Sequence, residues 1–182
     1  MNQFTETKLP GVFEIDFFHL RDDRGVFVKT FHRGALSLAG LETDFAESFY
    51  SINNKNVLRG MHFQFPPDDH AKIVYCTSGR LLDVVVDLRR GAPTYGKYIA
   101  VELSGDNFKG VYLPKGTAHG FLTLEEHTCM VYLTSTVHSP KNDSGILWDS
   151  FGFQWPVKFP VHSERDLTFL PLSEFNSPFK SQ

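Results

Sequence analysis

The 182-residue sequence predicts an all-β chain, a sandwich or barrel of the jelly-roll kind with a few short helices. Three observations carry that prediction. Short runs of apolar and β-branched residues recur through the middle of the chain. Turns rich in Gly, Asn, Asp and Pro separate them, a pattern of strands rather than βαβ units. Aromatic content is dominated by 18 Phe, against 2 Trp and 6 Tyr, and flat rings pack well on a pleated face.

The elements follow in order. Arg33 to Ala39 reads as a short helix ended by Gly40. Lys72 to Cys76 is a strand, closed by the turn Thr77-Ser78-Gly79. Residues 81–87 form the next strand and residues 97–103 another, the latter closed by Ser104-Gly105-Asp106-Asn107. Residues 110–113, 120–124 and 128–134 complete the series. After Trp155-Pro156 the pattern is mixed, and a tail over about 157–182 is expected to wrap the barrel. There is no repeat or linker, so 1–182 is expected to be a single domain.

Bulk properties exclude several classes. The formal net charge is -3, with no cluster of Lys and Arg, so no nucleic-acid partner is expected. Met1 to Pro10 is polar, and no apolar run is long enough for a bilayer, so no membrane partner is expected. Cys76 and Cys129 lie in apolar strand patterns and read as buried free thiols of a reducing compartment. A soluble cytoplasmic protein is the expectation.

Alternation then places the polar residues. Lys72, Val74 and Cys76 share one strand face, as do Asp83, Val85 and Asp87, and as do Thr128, Met130, Tyr132 and Thr134. If those faces point inward, Lys72, Asp83 and Tyr132 surround one cavity. Two histidines join them: His62 in Leu58-Arg59-Gly60-Met61-His62-Phe63-Gln64, and His119 in Pro114-Lys115-Gly116-Thr117-Ala118-His119-Gly120-Phe121. The second motif looks like half of the cupin metal signature. The other half needs a His-x-His pair, and His62-Phe63-Gln64 lacks it. Lys72 would also oppose a divalent cation, so neither a metal nor another cofactor is expected. His70, in Pro66-Pro67-Asp68-Asp69-His70, reads as a solvated loop residue.

This residue set suits removal of a proton next to a carbonyl. A neutral histidine is a base near neutral pH. A carboxylate on its other nitrogen fixes the tautomer. An ammonium stabilises an enolate oxygen. A tyrosine hydroxyl returns the proton from the other face, which inverts the centre.

At this point the residues resemble a family. Asp23-Arg24-Gly25, the 58–64 motif, Lys72, Asp83 to Arg89, Pro93-Thr94-Tyr95-Gly96, Pro114 to Phe121, Tyr132 and Gly145-Ile146-Leu147-Trp148 occur in order. Together they resemble the dTDP-4-dehydrorhamnose 3,5-epimerases, nucleotide-sugar epimerases of cupin-type jelly-roll fold. The resemblance runs from about Val12 to Asp166. It implies a nucleotide-diphosphate sugar carrying a 4-keto-6-deoxyhexose, and a homodimer. It implies His62 as the base for C3 and C5, with Asp166 as its carboxylate. Asp83 is a further acid that orients His62 or His119. Lys72 and His119 are the enolate stabilisers, Tyr132 the general acid and Arg59 the diphosphate clamp. Arg24, Phe27, Lys29, Glu47, Gln64 and His138 complete the implied substrate-binding set.

Three departures cluster. Lys29 stands where the family usually carries an acid, and Glu47 where it carries Gln; the two could pair across neighbouring strands. Glu47 would then accept from an exocyclic amine such as that of cytosine, so a CDP-linked sugar is an alternative to dTDP. Val137-His138 replaces a Tyr-Tyr pair, which leaves open inversion at C3, at C5 or at both. Competing readings are a ketoisomerase on the same scaffold, a non-catalytic sugar-nucleotide binding module and a metal-dependent cupin dioxygenase. Tyr132 argues against the first, and the joint retention of His62, Lys72 and Tyr132 against the second.

Overall fold

A computed structural model describes residues 1–181; residue 182, the end of the tail expected over 157–182, lies outside the described residues. The first strands are β1 (Gln3–Glu6), β2 (Phe13–Asp16), β3 (Phe18–Asp22) and β4 (Gly25–Lys29), followed by helix α1 (Arg33–Leu38). His32 caps α1: its Nδ1 accepts from the Ala35 N–H. Next come β5 (Glu47–Asn53), β6 (Leu58–Gln64), β7 (Lys72–Ser78), β8 (Arg80–Asp87) and β9 (Tyr98–Ser104). The series ends with β10 (Lys109–Leu113), β11 (Thr117–Thr123), β12 (Thr128–Thr134) and β13 (Asp143–Gly145), and a 3-10 turn at Arg165–Thr168. The structure bears out the all-β expectation.

Two antiparallel sheets face one another as a jelly roll. One has the order β1-β2-β10-β7-β12-β5, the other β13-β6-β11-β8-β9, and β3-β4 is a separate hairpin. Val74, Cys76, Leu81, Val85, Val101, Phe121 and Met130 fill the space between the sheets. The outer faces are covered as well. Ile15, Phe17, Ile73 and Tyr112 pack against Leu36 of α1. Met61, Phe63, Val84 and Val86 pack beneath Phe151, Phe175 and Phe179 of the C-terminal segment. Burial on both sides is why β11 shows no exposed residue and why the Val84-Val85-Val86 run of β8 is continuously apolar.

The C-terminal segment adds order beyond packing. Val161 pairs in parallel with Val57, and the Leu58 N–H donates to the Val161 carbonyl at 2.9 Å. Further on, Leu147 donates to Leu170, and Arg90 bridges to Lys180. These contacts fix the 3-10 turn that carries Asp166.

β12 spans the expected 128–134, and β7 and β8 lie within two residues of expectation. β11 begins at Thr117 rather than at 120, which puts His119 inside the strand. Gly120 looks like a breaker in sequence, but its role is close packing. Cys76 is buried, and Cys129 is only half-buried; both are free. Burial pushes the Cys76 thiol up to about 11, so it behaves as an inert core residue. Among the described residues, no helix is long and apolar enough to cross a membrane.

Candidate active site

One end of the space between the sheets is apolar and the other is polar. The polar end opens into a cavity of about 490 Å³ lined by Arg59, His62, Lys72, His119 and Tyr132, among others. His62 and His119 come from β6 and β11 of one sheet; Lys72 and Tyr132 come from β7 and β12 of the other. The cavity therefore has two chemically different walls.

The two histidines are direct partners in the β6-β11 register, and a bulge follows between His119 and Phe121. Two glycines make this approach feasible. A Cβ on Gly60, whose φ is +148, would lie 2.6 Å from the Gly120 Cα. A Cβ on Gly120 would lie 2.6 Å from the Met61 sulfur and 2.8 Å from the Arg59 carbonyl oxygen. Arg-Gly-Met-His and Ala-His-Gly-Phe are thus two halves of one contact.

Each histidine is tied to a buried carboxylate. His62 Nε2 lies 2.8 Å from Asp166 Oδ1, and the other carboxylate oxygen accepts from the Gly60 N–H at 3.3 Å. Burial pushes the Asp166 carboxyl up, but the His62 hydrogen bond and charge, the Gly60 amide and Ser163 outweigh it and hold it below the ordinary carboxylate value. An ionised carboxylate only accepts, so Nε2 of His62 carries the proton and Nδ1 keeps a free lone pair. His119 Nε2 lies 2.6 Å from Asp83 Oδ2, with both side chains buried. Of the two roles open to Asp83, the geometry selects orientation of His119. Asp166, which is 104 positions from His62 in the chain, takes the other.

The opposite wall is a phenol and an ammonium. Burial raises the Tyr132 phenol well above its ordinary value, against the opposing hydrogen bond from Ser51, so it stays protonated. Its ring stacks on Phe49 at 4.7 Å between centroids, and the two oppose one another across β12 and β5. Burial lowers Lys72 to about 8, with Asp143 and Asp83 pulling it back up. At the rim, the Nε–H of Arg59 donates to Asn53 Oδ1 at 2.7 Å, which orients the guanidinium.

Some expected site residues lie elsewhere. Arg24, Phe27 and Lys29 belong to the β3-β4 hairpin and do not line the cavity. Arg24 pairs with its neighbour Asp22 at 2.6 Å, and both side chains are solvated. The Lys29–Glu47 pair does not form, because β4 pairs only with β3 and β5 pairs with β12. Glu47 and His138 do line the cavity, but a Glu47 oxygen accepts from the His138 backbone N–H at 2.9 Å. Gln64 also lines it, yet its amide serves the loops: it donates to the Asp68 carbonyl at 2.8 Å and accepts from the Ser139 N–H at 2.7 Å.

His70 is a larger correction. It is not solvated: it lines the cavity, half-buried beneath the 136–139 segment. Burial and the nearby Lys72 charge depress it to about 3. Sequence reasoning also passed over Phe49, Asn53, Asp143 and Arg165. The alternation of β5 could have flagged Phe49 and Asn53; nothing local marks the other two. Arg165 pairs with Asp143 at 2.6 Å beside the cavity.

A histidine–carboxylate dyad on one wall and a protonated tyrosine on the other, inside a jelly roll, define the class: an epimerase, within the isomerases. The comparisons with known proteins agree. The family model described as dTDP-4-dehydrorhamnose 3,5-epimerase matches residues 6–174. The dTDP-4-dehydrorhamnose 3,5-epimerase of Shigella flexneri is 36% identical over 165 residues, covering 89% of this chain and 91% of that protein. A dTDP-4-dehydrorhamnose 3-epimerase of Streptomyces niveus is 36% identical over 169 residues, covering 91% and 82%. A crystal structure of the Legionella pneumophila dTDP-6-deoxy-D-glucose-3,5-epimerase, in complex with dTDP-4-keto-L-rhamnose, superposes with a TM-score of 0.94 at 28% identity, covering all of both chains. The chain belongs to the dTDP-4-dehydrorhamnose 3,5-epimerase family. These relatives do not favour the CDP-linked reading, whose structural premise, the Lys29–Glu47 pair, is also absent.

Proposed function

We propose that the protein inverts C3 and C5 of a dTDP-linked 4-keto-6-deoxyhexose, as a single catalytic unit spanning 1–182 and without a cofactor. The observation that carries this reading is the opposition of His62–Asp166 and Tyr132 across one cavity. Nδ1 of His62 takes the proton from a carbon next to the C4 ketone. The C–H electron pair moves into the carbonyl and forms an enolate. The Lys72 ammonium and the Asp83-oriented His119 stabilise the developing charge on O4. The Tyr132 hydroxyl then gives its proton to the same carbon from the far face. His62 and Tyr132 return to their starting states by proton exchange with solvent. Arg59 takes the diphosphate, and Phe49, Glu47 and His138 shape the rest of the cavity.

A homodimer completes the reading. Strand β5 is an edge of its sheet and presents Tyr50 and Ile52, 67% and 61% exposed. The β3-β4 hairpin presents Leu20 and Phe27, 58% and 57% exposed. A second copy would cover this surface and bring Arg24, Phe27 and Lys29 to the partner's nucleotide. Sedimentation at several protein concentrations tests it; a monomer throughout contradicts it. The net charge of -3 supports a reading with no nucleic-acid partner, and the two free cysteines support a reducing, cytoplasmic setting.

The function is tested by NMR in D2O with the dTDP-linked 4-keto-6-deoxyglucose. Label at both C3 and C5 is expected, and none with His62→Asn. Label at one carbon only would replace the reading with a single-site epimerase shaped by Val137 and His138.

A further inference from the structure

Behind the wall that carries Lys72 lies a second, much smaller cavity. Its volume is about 10 Å³, room for about one water molecule. His70, Lys72, His119, Thr117 and Asp69 contribute its polar lining. His70 and Lys72 line this cavity and the main one alike, so they form part of the partition between them.

Among the described residues, neither the buried His70 Nε2 nor the cavity-facing Lys72 ammonium has a hydrogen-bond partner. Lys72 is influenced by Asp143 and Asp83 through space, but neither bonds to it. A buried imidazole nitrogen without a partner is unfavourable, so the space beside His70 Nε2 calls for a hydrogen-bonding occupant.

The other side of the His70 ring sets its tautomer. Nδ1 lies 3.3 Å from Thr136 Oγ1 and 3.3 Å from Gln64 Nε2. The Thr136 hydroxyl donates to the Asp68 carbonyl at 2.8 Å, so its oxygen is left as an acceptor. The Gln64 hydrogens have the Asp68 and Val137 carbonyls at 2.8 and 3.3 Å. The arrangement that satisfies every group has Nδ1–H donating to Thr136 and Nε2 accepting.

We propose that the small cavity is a site for one water, which accepts from the Lys72 ammonium and donates to His70 Nε2. His70 is then a positioning residue: it anchors one of the waters that hydrate the half-buried Lys72 cation. The role of Lys72 as enolate stabiliser rests on the proposed function; the water site does not. The ring is suited to this because it stays neutral. Burial, Lys72, Lys115, His119 and His138 all disfavour its charged form, and Asp69 is engaged by Lys115 at 3.6 Å. A charged His70 would repel Lys72 and could not accept.

The test reads Lys72 itself and needs no turnover. The whole protein is labelled with 13C at the lysine Cε, the Lys72 signal is assigned with Lys72→Arg, and its titration is followed by NMR. In His70→Leu, which is similar in size but has no acceptor, the Lys72 midpoint is expected to fall by about one unit, a tenfold loss of proton affinity. In His70→Gln, whose carbonyl still accepts, the midpoint is expected to stay near that of the unmodified protein. A midpoint unmoved in His70→Leu overturns the proposal, and so does an equal fall in both variants. Should His70→Leu fail to fold, 15N spectra of the unmodified protein decide: an Nδ1–H tautomer of His70 is expected, and an Nε2–H tautomer overturns the proposal. A fall of the Lys72 midpoint in His70→Leu with turnover at pH 8 unchanged would leave the water site standing and count against Lys72 as the enolate stabiliser.

Discussion

Acid should weaken this fold through one residue that takes no part in the proposed chemistry. His70 sits at about 3 in the folded protein, because burial and then the Lys72 charge disfavour the imidazolium. In the unfolded chain it returns to about 6.5. Between those values the unfolded state binds more protons, so stability rises with pH across the window. The contribution is present above about 6.5 and is lost as pH falls toward about 3. At pH 5 the unfolded group is charged and the folded one is not, a gap of about 1.5 units, or about 2 kcal/mol at roughly 1.4 kcal/mol per unit. The measurement is urea unfolding at pH 7 and pH 5, at one fixed protomer concentration. His70→Gln cannot titrate, so it should lose about 2 kcal/mol less than the unmodified protein over that interval. Carboxylates such as Asp166 titrate in both proteins and cancel in the comparison. Parallel losses in the two proteins would refute the reasoning and return His70 to solvent.

Other outcomes follow from the site. Asp166→Asn loses the negative charge and sets an amide NH2 against either His62 Nε2 or the Gly60 N–H, so the Nε2–H tautomer of His62 is no longer enforced and kcat/KM should fall by at least about 100-fold in protein that still folds; a loss under about threefold would show that His62 works unaided. Gly120→Ala places a methyl 2.6 Å from the Met61 sulfur and 2.8 Å from the Arg59 carbonyl oxygen. It should cost about 1–3 kcal/mol or more of stability, read from the urea midpoint, and a neutral effect would mean that β6 and β11 can part freely. Because Lys72 sits at about 8, kcat/KM should decline above that pH as the cation is lost, and Lys72→Arg, always charged, should remove that limb. An identical alkaline limb in Lys72→Arg would assign it to another group.

The parts that sequence made legible are those in which local pattern and burial coincide. β12 could be read to the residue because Thr128, Met130, Tyr132 and Thr134 alternate inward between clear turns. Lys72 and Tyr132 could be placed together because both belong to such strands; His62 and His119 were legible only as motifs, since β6 shows no clean alternation and Gly120 hides the start of β11. The β3-β4 hairpin escaped notice because it buries little, and without an apolar face there is no period to find. The Lys29–Glu47 pair failed for a different reason: adjacency of strands is set by topology, and β4 and β5 belong to different sheets. His70 was misread because Pro-Pro-Asp-Asp-His has the composition of a solvated loop. Segments remote in sequence enclose it: Thr136 on one side, and Thr117, His119 and Phe179 around the small cavity on the other. The departure of Glu47 from the family pattern drew attention to base recognition. In the structure its carboxylate organises the backbone at His138.

In the proposed mechanism base and acid act from opposite walls, and Tyr132→Phe in D2O separates the two. With the phenol gone, His62 still removes the proton and can only return a deuteron to the face it took it from. Label should enter at the carbon next to the ketone with configuration retained, whereas the unmodified protein should give label with inversion. Inverted, labelled product from Tyr132→Phe at the unmodified rate would contradict it.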